Sequence, residues 1–370
     1  MRRLRFVTPP TPQHPAAFLL TAGLILILSG DCAPLAAQGA ASGDAVKVDP
    51  VTEAVISGAL KYLAAQQLPD GSWSGGKENP KNQWPVAMTS YVMMAFMANG
   101  NLPNAGTYAK QVKSGMQFLL DAAQSDGTFR EVDRSHYMYS HGLATMVLAE
   151  LYGETQDPAI RTKLDHVVHL IVHGQNAEGG WRYQPGSKDA DISVTVPQTV
   201  ALCAAKRAGI AVPQATIDRA VAYIKSCQVK DEGFAYQAGK GGPNFARTAA
   251  AIYGLQLTGL YDDPVIAQGS KYVMTIIMKS NQPGWGQEWL TYGSYYAGVA
   301  NYLIGGETWK TYYETFGRQY LVKHAVTAGD QSHWDISLDS NAKDVGSNWC
   351  TAVFTTILSL PYGYLPLYQR

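Results

Sequence analysis

Asp189 and Asp191 stand two residues apart, immediately ahead of an apolar run that continues to position 205. Carboxyls so placed can cap the free N–H groups of a helix start and complement its dipole. In a dry pocket, one of them can instead be kept protonated and serve as an acid. Clusters of polar, titratable and aromatic residues precede five other apolar runs: Trp84 and Thr89; Arg134, His136, Tyr137, Tyr139 and His141; Asn244 and Arg247; Glu288, Trp289, Tyr292 and Tyr295; Asn348 and Trp349. Aromatic rings can stack on sugars or stabilise a carbocation, and Arg134 or Arg247 can hold a carboxylate or phosphate. Singly, such residues are ordinary caps and surface groups. Their recurrence at one level of six segments argues for a ligand site there, with Arg134, Tyr139, Arg247, Trp289, Tyr292 and Trp349 as its contacts.

The elements that must position these residues repeat. Six times a helix-like segment runs into a glycine turn closed by an aromatic residue, and a second apolar segment follows. The closing aromatics are Trp73, Phe129, Trp181, Phe234, Trp285 and Trp334, at successive spacings of 56, 52, 53, 51 and 49 residues. A period near fifty with two helical stretches per unit predicts an array of helical hairpins. In the first segment of each pair the apolar residues recur at helical spacing, as at Ile56, Leu60, Leu63 and Ala64, so one face is apolar and the helix lies outside. The second segment, such as that at 91–98, is apolar nearly all round and must be buried. Gly100, Gly153, Gly209, Gly259, Gly305 and Gly363 are expected to close these inner helices. The fold class is therefore all-α: a single α/α toroid of about six hairpins, six outer and six inner helices. An open superhelical solenoid is the alternative, but it would leave one inner face wet. If the inner helices run parallel, the candidate residues gather at one rim, where helix N-termini converge.

Gln67-Leu-Pro-Asp-Gly71-Ser-Trp73 and Gln175-Asn-Ala-Glu-Gly179-Gly-Trp181 share the pattern Gln-x3-Gly-x-Trp, and Gln124, Gln228 and Gln282 begin looser copies. This resembles the QW repeat of squalene-hopene cyclases and related triterpene cyclases, in a toroid superfamily that includes protein prenyltransferase β-subunits. The resemblance implies that Gln67, Trp73, Gln175 and Trp181 are structural, the indole packing at the next inner helix and the glutamine tying helix ends. Triterpene cyclases also carry Asp-x-Asp-Asp at the start of an inner helix, whose middle aspartic acid protonates the substrate. Here Asp191 matches that middle acid and Asp189 the first, while Ile192 replaces the third. Those cyclases enclose their cavity between two toroids; this chain encodes one, so a cavity should open at a rim. The prenyltransferase zinc site needs an Asp-x-Cys pair and a later histidine. Cys203, Cys227 and Cys350 lack that aspartate, and no CxxC or HExxH occurs; neither metal nor cofactor is expected. Carbohydrate-active α/α barrels use rim carboxylates as acid and base, which points to Asp191 with Glu288, and His141 as a third participant. The candidate catalytic set is thus Asp191, Asp189, Glu288 and His141.

The ends and the composition bound the rest. Arg2, Arg3 and Arg5 precede an apolar run at 16–28 and small residues near Ala36 and Ala37. This is the layout of a secretory signal at 1–37, followed by a linker at 38–50 and the toroid at 51–370. Export to the periplasm, the envelope or the exterior follows, and Cys32 is the residue a lipid anchor would use. Cleavage leaves 26 basic and 28 acidic residues, which suggests neither nucleic acid nor an anionic membrane as partner, and no transmembrane helix is expected in the mature chain. Whether the remaining three cysteines form a bridge is open. Three functions fit: a rim pocket binding or acting on an apolar or isoprenoid-like ligand, short of full triterpene cyclisation; a glycan-directed lyase or hydrolase; and a non-catalytic envelope or extracellular interaction protein.

Overall fold

The computed structural model describes residues 46–79, 81–230, 232–279 and 288–369. The segment at 1–37 expected to be a signal, Cys32, and the fifth closing aromatic Trp285 with Gln282 lie outside the described residues. Twelve α-helices follow: α1 Pro50–Ala65, α2 Pro85–Met97, α3 Ala109–Ala122, α4 Tyr137–Thr155, α5 Pro158–Gly174, α6 Ile192–Arg207, α7 Gln214–Ser226, α8 Phe245–Leu257, α9 Pro264–Lys279, α10 Leu290–Ile304, α11 Gly306–Tyr312 and α12 Ser347–Ser359. The α11 helix runs on as a π-helical stretch Tyr313–Leu321.

Even-numbered helices pack each on the next, and α12 returns to α2, so the inner ring is closed. Each odd-numbered helix lies outside a seam: α3 touches α2 and α4, α5 touches α4 and α6, and α1 touches α12 and α2. Burial follows the same division, with almost every residue of α4, α6 and α12 buried and only one stripe of α3, α5 and α7. The inner helices therefore supply a core on all sides, as their all-round apolar sequences require. Starts are set locally. Asp49 accepts from the Val51 and Thr52 N–H groups at 3.0 Å, and Asp157 from that of Ala159 at 2.8 Å, each followed by proline in the first turn. Residues 46–50, read from sequence as linker, belong to the domain. Val46 and Val48 pack on the core, and Asp49 pairs with Arg318 at 2.8 Å. Gly153 does not end its helix; α4 continues to Thr155, and Gln156 takes the left-handed conformation instead. The sequence gives no sign of the short hairpin β1 Val326–Ala328 and β2 Gln331–His333, which packs on α1.

The repeated motif is a clasp. Trp73, Trp181 and Trp334 donate their indole N–H to the carbonyls of Leu63, Ile171 and Leu321, at 2.7–2.8 Å, satisfying the ends of the outer helices. Their backbone N–H groups donate to threonine hydroxyls of the following inner helix: Thr89, Thr195 and Thr351, each at 3.1 Å. Phe234 repeats the second bond with Thr248 at 2.9 Å. Gln67 and Gln175 donate both to the turn (Gly71 O, Gly179 O) and to the next outer helix (Gln111 O, Thr216 O), at 2.7–2.9 Å. The glycine of the motif has two reasons to be glycine. Gly71 has φ +88°, and a Cβ there would lie 2.4 Å from the Ser114 carbonyl of α3.

Opposite the candidate residues, the C-terminal segment covers the other end of the ring. Leu367 and Tyr368 are buried; the Leu367 N–H donates to Glu150 Oε2 at 3.1 Å, and the Tyr295 and Tyr368 hydroxyls lie 2.9 Å apart. Burial pushes the Glu150 carboxyl up to about 7, against the Leu367 N–H and Arg207, which pull it down.

Two measurements check these contacts. Trp181→Phe removes the indole donor and strands the Ile171 carbonyl, so denaturant unfolding should show a loss of about 1–3 kcal/mol; no change would mean the clasp is not stabilising. Because the folded carboxyl of Glu150 titrates near 7, above its ordinary 4.5, its contribution is present at low pH and lost as pH rises through that range. The fall in melting temperature across this window should therefore be shallower in Glu150→Gln than in the native chain.

Candidate ligand site at the inner-helix N-termini

Six inner helices that begin inside a protein each present free N–H groups that need acceptors. Among the described residues, the loops following Trp73, Phe129, Trp181, Phe234 and Trp334 supply them to the inner helix of the preceding unit. Two residues past the aromatic, the carbonyls of Tyr183 and Tyr236 accept from the Met138 N–H of α4 at 3.1 Å and the Ile192 N–H of α6 at 3.0 Å. Gly75, in the same position of the first unit, accepts from the Asn348 N–H of α12 at 3.1 Å, which joins the first unit to the last. Glu78 adds bonds to Ser347 N (3.2 Å) and Oγ (2.8 Å). Asp339 accepts from the Thr291 N–H of α10 at 2.8 Å, and Glu131 from the Val86 N–H of α2 at 3.4 Å.

Above these starts lies a cavity of about 630 Å³, in the size range of small-molecule sites. Its walls come from Trp84, Ala87, Met88 and Tyr91 at the start of α2, and from His136, Tyr139, Ser140 and Leu143 at the start of α4. Each set has the spacing of one helical stripe, i, i+3, i+4, i+7. Ser193, Asn244, Arg247, Trp289, Tyr292 and Trp349 complete the ring, with Arg182, Tyr183 and Tyr236 from the loops. Trp289 stands at φ +59° and is 44% exposed.

Asp191 lies behind this wall, fully buried and not lining the cavity. It caps α6 through the Val194 N–H at 3.0 Å, and also accepts from Ser193 Oγ at 2.6 Å and Tyr236 Oη at 3.0 Å. Arg182 Nε is 3.6 Å away. Burial raises the Asp191 carboxyl above its ordinary value, against the pull of Ser193, Val194, Tyr236 and the Arg182 charge. Two further hydroxyls extend the network to the wall: Tyr139 pairs with Ser193 at 2.6 Å, and Tyr183 with Tyr236 at 2.5 Å. The Arg182 guanidinium lies 5.2 Å from the Tyr183 ring centroid, and that of Arg247 lies 5.5 Å from the Tyr236 centroid. Asp189 is half exposed and bonded to Arg182; burial works against its ionisation, but that bond holds it below the ordinary carboxylate range.

Of the ligand contacts expected from sequence, Tyr139, Arg247, Trp289, Tyr292 and Trp349 line the cavity. Arg134 does not; it is exposed, its guanidinium over the Tyr137 ring at 4.7 Å. Of the expected catalytic residues, none lines it. Glu288 is exposed on the surface. His141 faces outward, one ring nitrogen 3.0 Å from the Val167 carbonyl of α5 and the other 3.1 Å from the Tyr137 hydroxyl. Burial pushes its pKa down to about 4, so it is neutral, donating to Val167 and accepting from Tyr137. Tyr137 in turn accepts from the Phe129 N–H at 2.6 Å. The pair thus fills the place that threonine takes in the other clasps, and His141 is a core residue there. Sequence reasoning missed Arg182, Tyr183 and Tyr236; the available signal was the recurrence of tyrosine two residues past the closing aromatic. Cys203, Cys227 and Cys350 are buried free thiols. Among the described residues no group of three or more His, Cys, Asp or Glu could hold a metal ion, and no helix is long and apolar enough to cross a membrane.

A closed ring of six buried helices, clasped by Gln-x3-Gly-x-Trp turns, places the chain in the terpenoid-cyclase and prenyltransferase α/α-toroid superfamily; the prenyltransferase α/α-toroid domain model matches residues 199–288. Within that superfamily the chain belongs to the family described as a domain of unknown function, DUF6288, whose model matches residues 52–236. Drimenyl diphosphate synthase of Streptomyces showdoensis is 25% identical over 191 residues, 51% of this chain. The chain spans only 17% and 33% of the length of two curated relatives that it matches. A type II terpene cyclase from Scytonema, solved with geranylgeranyl dihydroxybenzoate as substrate, superposes with TM-score 0.57 at 12% identity over 85% of this chain and 98% of that one. Cellobiose 2-epimerase from Bacillus thermoamylovorans superposes with TM-score 0.63 at 13% identity, over 85% and 99%. These superpositions show a shared fold.

Replacing the two aspartates separates their parts. Asp191→Ala removes a helix cap and strands two hydroxyls, a loss of about 1–3 kcal/mol in unfolding experiments, while Asp189→Ala at the half-exposed ion pair costs less than about 1 kcal/mol. Equal losses would contradict the burial assigned to Asp191.

Proposed function

We propose that the cavity binds an apolar, isoprenoid-like ligand, and that the protein is not a full triterpene cyclase. The observation that carries this reading is the wall itself. Trp84, Tyr91, Tyr292 and Trp349 supply much of the wall as aromatic rings, and Arg182, Tyr183, Tyr236 and Arg247 are among the polar groups that line the rest. Such a site suits an amphiphile, with an apolar body among the aromatics and a polar end beside the arginines. The terpenoid names carried by the relatives and by the Scytonema cyclase agree with that chemistry. Direct protonation of a ligand by Asp191 has no route, since Ser193 and Tyr236 stand between its carboxylate and the cavity; any proton from it passes through a hydroxyl. Export of the mature chain, carried by the segment at 1–37, is part of the same proposal and places the ligand outside the cytoplasm.

A glycan-directed hydrolase needs two carboxylates flanking the bond it breaks. Asp344 is the one carboxylate among the described residues that line the cavity, Asp191 is sealed behind it and Glu288 is outside it. The geometry therefore favours the isoprenoid reading over the glycan one.

Intrinsic tryptophan fluorescence reports on the site directly, because Trp84, Trp289 and Trp349 line it. Titration with geranylgeraniol should give saturable quenching, and cellotriose none. Ala87→Trp, which fills the space from α2, should weaken geranylgeraniol binding at least about tenfold, a change of about 1.4 kcal/mol. Saturation by cellotriose with no response to geranylgeraniol would overturn the reading.

A further inference from the structure

The hydroxyl network has a direction as well as a shape. Asp191 Oδ1 accepts from the Val194 N–H and Ser193 Oγ, and Oδ2 accepts from Tyr236 Oη. Three donors point at its two oxygens and the Arg182 guanidinium lies beside them, an arrangement in which the carboxylate acts as acceptor throughout and both hydroxyl protons are committed to it. Ser193 Oγ can then only accept from Tyr139, and Tyr236 Oη can only accept from Tyr183. A free tyrosine hydroxyl turns either way; these two cannot. At the cavity wall Tyr139 and Tyr183 are left with lone pairs and no proton to give.

We propose that these tyrosine acceptors select ligands whose polar end carries a hydrogen-bond donor: an isoprenoid-like alcohol or phenol rather than the corresponding ether, ester or hydrocarbon. The proposal rests on the cavity being the ligand site. A hydroxyl end can accept from Arg182 or Arg247 and still donate to a tyrosine oxygen, whereas an ether can only accept and leaves the tyrosine oxygens unpaired, a cost that discriminates against it. The selectivity is imposed by a charge that the ligand never touches. Asp191 is in this sense a positioning residue, acting through Ser193 and Tyr236.

The test compares geranylgeraniol with geranylgeranyl methyl ether, which share an apolar body and differ in the donor. In the native chain the alcohol should bind about three- to tenfold more tightly, the worth of one hydrogen bond. In Asp191→Asn the amide oxygen can keep the Val194 and Ser193 bonds, while the amide nitrogen replaces Oδ2 and donates to Tyr236. That branch then inverts and Tyr183 turns its proton toward the cavity. Ether affinity should rise and the ratio fall toward one, and adding Tyr183→Phe should abolish the gain. Should Asp191→Asn fail to fold, Tyr139→Phe with Tyr183→Phe decides, since it removes both tyrosine acceptors and should erase the preference by raising ether affinity and weakening alcohol binding. Tight and equal binding of both probes by the native chain, or a preference unaffected by these variants, would overturn the proposal while leaving the isoprenoid site standing. Binding of neither probe would instead remove the site on which it depends.

Discussion

The constraint on which the rest depends is the demand of buried helix starts for acceptors. An inner helix cannot pass its first N–H groups to water, so in five units of the described residues the loop past the closing aromatic meets the need of the unit before it with a carbonyl or carboxylate. Gly75, Tyr183 and Tyr236 do so through their backbone, Glu131 and Asp339 through their side chains. The same loops form one end of the ring, so the bonds that hold the helices in register also set the walls of the cavity. One effect is chemical. The N-termini that converge at this rim already have acceptors, and the arginines, the tyrosines and the charge behind them contribute the polarity of the cavity.

Asp191 shows how capping and site chemistry combine. One oxygen completes α6 while the other holds Tyr236, so a group required for the helix also orients the wall. Its burial raises the cost of ionisation, and Ser193, Tyr236 and Arg182 offset it. His141 illustrates the opposite case. It sits two residues from Tyr139, but helix phase turns it toward α5, where it substitutes for a clasp.

The fold was legible because its determinants are local and repeated. Spacing near fifty, a Gln-x3-Gly-x-Trp turn and all-round apolar second helices each reflect a bond or burial that recurs in several units, and the structure finds them as expected for Gln67, Trp73, Gln175 and Trp181. The level of the cavity was legible for the same reason. Its membership was not, because that depends on phase around each helix and on loops with no period. Reading the stripe from His136 through Tyr139 and Ser140 to Leu143 would have excluded His141. The partners of Asp191 were beyond reach: Tyr236 lies 45 residues away in the next unit, and nothing in a single sequence joins the two.

Ring closure has a consequence for how the chain folds. Five of the joints between units link neighbours in sequence, but the joint of Glu78 with Ser347 spans 269 residues. An open helical array can fold from any point outward and tolerates the loss of terminal repeats. A ring gains its final interface only when its two ends meet, after most of the chain is ordered, and such distant contacts form slowly. Until that joint forms, α2 and α12 lack the faces they bury against each other, so the seam between the first and last units is the part of the core completed last.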